Sequence, residues 1–486
     1  MPEPLVPSIK GNMDHLNNDF KDCADFICRK FTLGSCRAVL MAIDGLIGKQ
    51  HVSISILNPL LSEEIPPCSG EETVDWVNQH VLGAVDQLEI RTFDDVIDKL
   101  MAGFAVVLVD GSARAIGFGV QGFNIRSLSE PENETMQHGA KDGFVESSQI
   151  NMMLIRRRMH TTDMKFVRCT VGSESRTPVL IAYLQSAADP VLVEKVKQDL
   201  EKCSLKNLFA SEYLTPFLAR NGVFNKVGYT ERPDAACGKI SEGRIVILVD
   251  GCASVVIVPQ LFIENFQTPD DYANRPLYAS FNRLSKMTAF LISVFLPGIY
   301  VAISGFHPEL LPETLLTKIA SSGSGTPFSI FVESILSFFL YELMREAGLR
   351  APKSLSHAVS IVGALVIGDM AVSSGLMSET TLIITAITAI AGYVVPKIYQ
   401  AATLLRLVFI LIGGTLGLWG ITLGGLIMLF NVCSEITYGI PITSPVAPFS
   451  LRRMRDVFLR VSWRRLSKQS APVQSMPGAM EEGRYD

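Results

Sequence analysis

Paired metal or redox ligands are what this chain lacks first. Its nine cysteines include no CxxC pair, and the nearest two, Cys23 and Cys28, match no common zinc spacing. The seven histidines, at positions 15, 51, 80, 138, 160, 307 and 357, are scattered, with no two at a metal-ligand interval. No metal and no cofactor is therefore expected, and the cysteines read as reduced thiols of a cytosolic compartment. The opening residues MPEPLVPSIKGNMDH lack a basic stretch leading into an apolar core, so no secretory leader is expected. Enzyme signatures are missing too. Gly45-Leu-Ile-Gly48-Lys49 is too short for a phosphate-binding loop and no Ser or Thr follows Lys49, while Gly323-Ser324-Gly325 lacks the wider spacing of a nucleophile elbow. No enzyme is expected. A net charge of −5 over 486 residues leaves no basic footprint for nucleic acid.

Charge is also missing locally. It is frequent and well mixed up to Arg283, then sparse from Met287 to Ser434. So long an apolar region needs lipid as its solvent, whereas the preceding part reads as water-soluble and cytoplasmic.

In the soluble part, three apolar runs end in Asp-Gly: Ala38 to Asp44-Gly45, Ala105 to Asp110-Gly111, and Arg244 to Asp250-Gly251. Asp-Gly favours the positive backbone angles of a tight turn, and the β-branched runs around it favour strands. The chain returns to apolar residues after the second and third turns, which predicts two similar hairpins, one in each of two α/β subdomains. Duplication and coincidence both explain the likeness. Amphipathic helices are expected over Leu16–Phe31, Thr92–Met101 and Asp189–Cys203. The expected organisation is an α/β subdomain over 1–165, a second over 166–282, a helical membrane domain over 283–450 and a basic cytoplasmic tail over 451–486.

Met287–Phe306 is long enough to span a bilayer and carries Pro297-Gly298, which predicts a kink. Between Pro327 and Gly348 a polar spine of Glu333, Ser337, Tyr341 and Arg345 recurs at steps of four, with Glu342 beside it. Such a spine faces protein, water or the interface, not lipid. Leu404–Cys433 fits one tilted helix or two short ones, and its glycines at 413, 417, 420 and 424 suit close packing or a hinge. Arg452, Arg453, Arg455, Arg460, Arg464, Arg465 and Lys468 mark a cytoplasmic end. With both ends on one side the number of crossings is even: four is the expected number, and six the alternative in which Pro327–Gly348 and both halves of the last segment cross. Val362, Val366, Asp369 and Ser373 share one helical face. They read either as the lining of a cation pore in an oligomer, with Val rings as gate, or as a solvated membrane edge at Asp369.

Several ordered strings then resemble one family. They are Arg126-Ser-Leu-Ser-Glu130-Pro131, Gly143-Phe-Val-Glu146 with Asn151, Leu154-Ile-Arg156-Arg157-Arg158, and Thr230-Glu231-Arg232-Pro233-Asp234. Asp270-Asp271-Tyr272, Glu346-Ala-Gly-Leu-Arg350, Ile361 to Gly368 and Gly439-Ile-Pro441 continue the series. The chain resembles the A subunits of spore germinant receptors, the GerA family, which includes SpoVAF-like proteins. The resemblance covers about residues 15–465. It implies a subunit of a nutrient-sensing complex in the spore inner membrane, with a transporter-like B subunit, a lipoprotein C subunit and a ring-shaped, cation-conducting oligomer. Asp369 stands where the family often has Gln, Ser329 where it has the second Pro of Pro-Phe-Pro, and Ile442 where an aromatic is usual. Within the motifs, Arg126, Glu130, Glu146, Arg156, Arg157, Arg158, Glu231, Arg232 and Asp234 read as ion pairs fixing the subdomains together, as subunit contacts, or as a small-ligand site.

Overall fold

The structure, a computed structural model, describes residues 3–62, 69–80, 86–122, 130–136, 138–220, 222–323, 325–350, 368–451, 453–466 and 472–479. The α/β region is one plan used twice. The first unit runs α1 (Ile9–Asp19), β1 (Phe26–Leu33), β2 (Cys36–Ile43), α2 (Gly70–His80), β3 (Gln87–Ile90), α3 (Phe93–Met101), β4 (Phe104–Val109) and β5 (Ala115–Gly119). The second runs α4 (Ser148–Arg156), β6 (Met164–Val171), β7 (Thr177–Leu184), α5 (Pro190–Glu201), β8 (Gly228–Thr230), α6 (Pro233–Ser241), β9 (Ile245–Val249) and β10 (Val255–Val258). Each forms a five-stranded sheet, in the order β1-β2-β4-β5-β3 and β6-β7-β9-β10-β8, with every pairing antiparallel.

The same hydrogen bonds recur in both units. Asn12 bridges the Val6 backbone through both amide atoms (3.0 and 2.7 Å), and Asn151 does the same to Val145 (2.8 and 2.6 Å). The Asp110 carboxylate accepts from the Ile9 N–H at the start of α1, and the Asp250 carboxylate from the Ser148 N–H at the start of α4. Gly111 and Gly251 follow at φ 89° and 91°, the turn conformation that glycine alone adopts cheaply, and each donates its N–H to the segment leading into the capped helix, at Pro7 and Glu146. So many matched details decide for duplication over coincidence.

The apolar alternation of the strands explains how the units join. Val39, Met41 and Ile43 of β2 share a core with Leu180, Ala182, Val246 and Leu248 of the second sheet and with Leu154 of α4. The residues between them, Ala38, Leu40 and Ala42, face a separate core under α2. β4 and β9 are buried on both faces, which is why they read as unbroken apolar runs. Among the described residues no disulfide joins two cysteines. Burial pushes the Cys237 thiol up to about 12, which leaves it unreactive.

Beyond Ala273 the chain is helical: α7 (Pro276–Phe306), α8 (Glu313–Gly323), α9 (Ile330–Arg350), α10 (Gly368–Ser373), α11 (Glu379–Tyr393) and α12 (Tyr399–Ser434). Among the described residues, Pro276–Phe306 and Pro396–Ser434 are long and apolar enough to cross a membrane, and Glu379–Tyr393 is shorter. α12 doubles back at Gly417 (φ 62°, ψ −151°). A Cβ on Gly420 would lie 2.6 Å from the Ile412 side chain, and one on Gly424 3.1 Å from Phe409, distances that a straight helix cannot give. The structure therefore resolves Leu404–Cys433 into two antiparallel arms, with Gly417 as the hinge.

The segment after Ser434, expected as a tail beyond 451, folds onto the second unit and the foot of α7. Glu435 pairs with Lys226 at 3.3 Å, the Tyr438 hydroxyl donates to Asp199, and Asp456 pairs with Arg283 at 2.8 Å. Arg460 is buried, donating to the carbonyls of Asn274 and Tyr272. The α/β region and the chain's C-terminal segment thus lie on the same side of the bundle.

Candidate functional site

The interior of the bundle holds charged groups: Glu333 and Arg406 are buried, with Glu342 and Arg345 partly buried. α7 leads away from the α/β region, and its contacts fix the levels of α9, α11 and α12. Near its far end the Tyr300 hydroxyl meets Thr380 and Thr381 of α11 (3.0 and 3.2 Å). There Glu333 of α9 is fully buried, and its Oε2 accepts from the Ser378 N–H (3.1 Å), the Ser378 hydroxyl (2.7 Å) and the Thr381 hydroxyl (3.0 Å). One turn nearer, Thr385 donates to Ser337 at 2.9 Å. At the near end the Tyr399 hydroxyl donates to Glu342 at 2.8 Å and contacts Tyr341. Arg345 reaches back to Glu342 and stacks over the Tyr399 ring, 4.0 Å from its centroid. The spine residues therefore face α11 and the first arm of α12.

Reading the sequence missed Arg406, which completes this network. Pro297 has no N–H, so the Ser293 carbonyl one turn earlier loses its helical partner. Arg406, buried in α12, donates its Nε to that carbonyl at 2.8 Å and its Nη2 to the Ser293 hydroxyl at 2.6 Å. Its other nitrogen stands 3.7 Å from Glu342. The signal was present in the sequence: a proline inside one apolar helix, and a lone cation inside another.

Asp369 and Ser373 are both exposed on α10, four residues apart. Val362 and Val366 lie outside the described residues, as does Arg126.

The other motif residues divide. Arg156 is buried and holds Asp25 through two bonds of 2.7 and 2.9 Å, tying α4 to the first unit. Arg232, also buried, donates to Asp234 and to the carbonyls of Glu134 and Ala140. Glu231 accepts from Asn133. Arg158 pairs with Asp142, and Glu130 with Lys141 at the surface. Arg157 and the Glu146 side chain are exposed. The net effect is to pin the 130–146 loop against β8 and α6.

That loop meets the bundle. Glu134, held by the Thr230 hydroxyl and the Glu231 N–H, pairs at 2.8 Å with Lys397 in the turn between α11 and α12. Beside it a cleft of about 940 Å³ opens between the second unit, the 267–273 segment before α7 and the C-terminal segment. A charge reversal, Lys397→Glu, should lower the thermal stability of the whole chain by about 1 kcal/mol, the upper range for a partly exposed pair. The swap Lys397→Glu with Glu134→Lys should restore most of it, as read by thermal unfolding of the four variants of the cycle.

Glu264 anchors the second unit at this junction. Burial alone would raise its carboxyl, but Arg244 at 2.5 Å and Lys239 at 2.8 Å outweigh burial and bring it down to about 2. A depressed folded value stabilises above the unfolded value of about 4.3 and is lost as pH falls towards 2. Glu264→Gln should cost about 3–5 kcal/mol near neutral pH, because Arg244 keeps its buried charge. The gap to the unsubstituted protein should close as thermal unfolding is followed from pH 5 to pH 2.

An α/β region built twice on one plan, joined to an apolar bundle with a charged interior, is the architecture of a protein that associates with a membrane through its second half. The chain belongs to the GerA family of Bacillus/Clostridium spore germination proteins, whose family model matches residues 14–471. Spore germination protein KA of Bacillus subtilis is 33% identical over 469 residues, covering 95% of this chain and 86% of that protein. Spore germination protein B1 of the same organism is 30% identical, covering 93% and 94%. Stage V sporulation protein AF is 28% identical, covering 89% and 88%. Among solved structures, the N-terminal domain of the A subunit of the Bacillus megaterium spore germinant receptor GerK3 is similar at 23% identity, with a TM-score of 0.41, covering 54% of this chain and 98% of that domain.

Proposed function

We propose that this chain is the A subunit of a spore germinant receptor in the spore inner membrane. As a closed homo-oligomeric ring, it couples nutrient sensing to cation release through a channel. The observation that carries the channel is the face of α10: Asp369 and Ser373 point out of the protomer, where a carboxylate in lipid would cost several kcal/mol. A ring of such carboxylates around an aqueous axis removes that cost and attracts cations, and Val366 and Val362, three and seven residues earlier in the sequence, would supply the apolar gate.

Topology supports the reading. α7, α9, α11 and the two arms of α12 make five passes between the levels marked by Tyr300 and Ser293. With both ends of the chain on one side, the number of crossings is even. We therefore favour six crossings, with the α/β region and the C-terminal segment cytoplasmic. A transporter-like B subunit and a lipoprotein C subunit complete the receptor. The higher identity to germination protein KA than to stage V sporulation protein AF favours a receptor subunit over an accessory channel. The test is the mass of the purified protein in detergent. A closed ring of fixed subunit number supports the channel. A monomer that co-purifies only with a B-type subunit would make the chain a scaffold instead.

A further inference from the structure

The far half of the bundle holds a buried carboxylate with no cation beside it. Glu333 has no exposed surface, and among the described residues no Lys, Arg or His lies within ion-pair distance of it. Its two oxygens differ. Oε2 accepts three hydrogen bonds, one from a backbone N–H that can only donate. Oε1 is buried without a hydrogen bond of sound geometry, and the Thr326 hydroxyl stands close to the carboxylate. The backbone N–H can only donate, and Oε1 is left open to a further ligand.

The charge is met only in part. Ser378 and its N–H begin α11, and a helix N-terminus offers about half a positive charge. An uncompensated anion in a low-dielectric interior is costly. Two further buried hydroxyls in this half, Ser304 and Ser334, also lack hydrogen-bond partners.

We propose that Glu333 is the anchor of a monovalent cation site inside each protomer, with Oε1 as its charged ligand and the Ser378 and Thr381 hydroxyls orienting the carboxylate. The valence follows from charge: one carboxylate, half compensated, suits Na⁺ or K⁺, whereas a divalent ion would leave the site strongly positive. The site lies within the helices of one chain and does not rest on an oligomeric pore, so it is tested without conductance.

Full-length protein in detergent should retain ⁸⁶Rb⁺ or ²²Na⁺ at one ion per chain. Its Tm should rise when choline chloride is replaced by KCl or NaCl at constant ionic strength. Glu333→Gln keeps an oxygen to accept from Ser378 and Thr381 but removes the charge; it should abolish both the retention and the cation-specific rise. Retention or a rise that survives in Glu333→Gln overturns the proposal, as does a wild-type Tm indifferent to the cation. If Glu333→Gln does not assemble, Glu333→Asp decides: a carboxylate withdrawn by one methylene should retain the ion more weakly, and unchanged retention refutes the site.

Discussion

Gly413→Leu should prevent the helical half from reaching its packed state. A Cβ at Gly413 would enter the Gly298 carbonyl oxygen, and one at Gly298 would lie 2.5 Å from the Phe409 carbonyl. Two helices cross here backbone to backbone, as small residues permit inside membranes. Overpacking with a free side chain costs about 1–3 kcal/mol. Here the obstructing atoms are backbone and cannot rotate away, so the cost should exceed that range. The measurement is the monodisperse yield and Tm of full-length protein in detergent. Gly413→Ala should show a smaller loss, and Gly413→Leu should lose the folded fraction. A Tm for Gly413→Leu within experimental error of the unsubstituted protein would mean that α7 and α12 do not cross at this point.

Arg406→Leu should cost about 3–5 kcal/mol, the penalty for removing one member of a buried charged network. Three deficits arise together. The Ser293 carbonyl, already abandoned by Pro297, loses its remaining donor; the Ser293 hydroxyl loses its partner; and Glu342 loses a buried cation. Arg406→Lys should recover only part, since an ammonium cannot reach two separated acceptors with the fork of a guanidinium. The diagnostic is a second substitution. Pro297→Ala returns an N–H to the Ser293 carbonyl, so it should be milder in the Arg406→Leu background than alone. A non-additive thermal shift of that sign is expected, and strict additivity would show that Arg406 does not serve the carbonyl.

These two sites show what could be read from the residues alone. The proline inside α7 at 297 and the glycines at 413 and 417 were legible, because proline and glycine carry their backbone consequences locally. So were the hairpins at Asp110-Gly111 and Asp250-Gly251. The polar spine was legible as a periodicity. Its partners were not. Glu333 meets Ser378 and Thr381, and Arg406 meets Ser293, across more than forty intervening residues, and nothing in local pattern encodes such a meeting. The duplication was visible only as two similar turns. What proves it, Asn12 and Asn151 clasping Val6 and Val145, depends on single residues whose spacing means nothing until the backbone is seen. The docking of Asp456 on Arg283 was hidden by composition, since a basic tail reads as solvated.

The exposed carboxylate of Asp369 carries the functional reading, and single-channel recording tests it most directly. Full-length protein, purified as a ring and reconstituted in a planar bilayer, should pass K⁺ in preference to Cl⁻. Asp369→Asn, which keeps the side-chain shape but removes the ring of charge, should reduce that preference and the unitary current. A correctly assembled ring that passes no current, or one whose cation preference is unchanged in Asp369→Asn, would contradict the assignment of α10 to the pore.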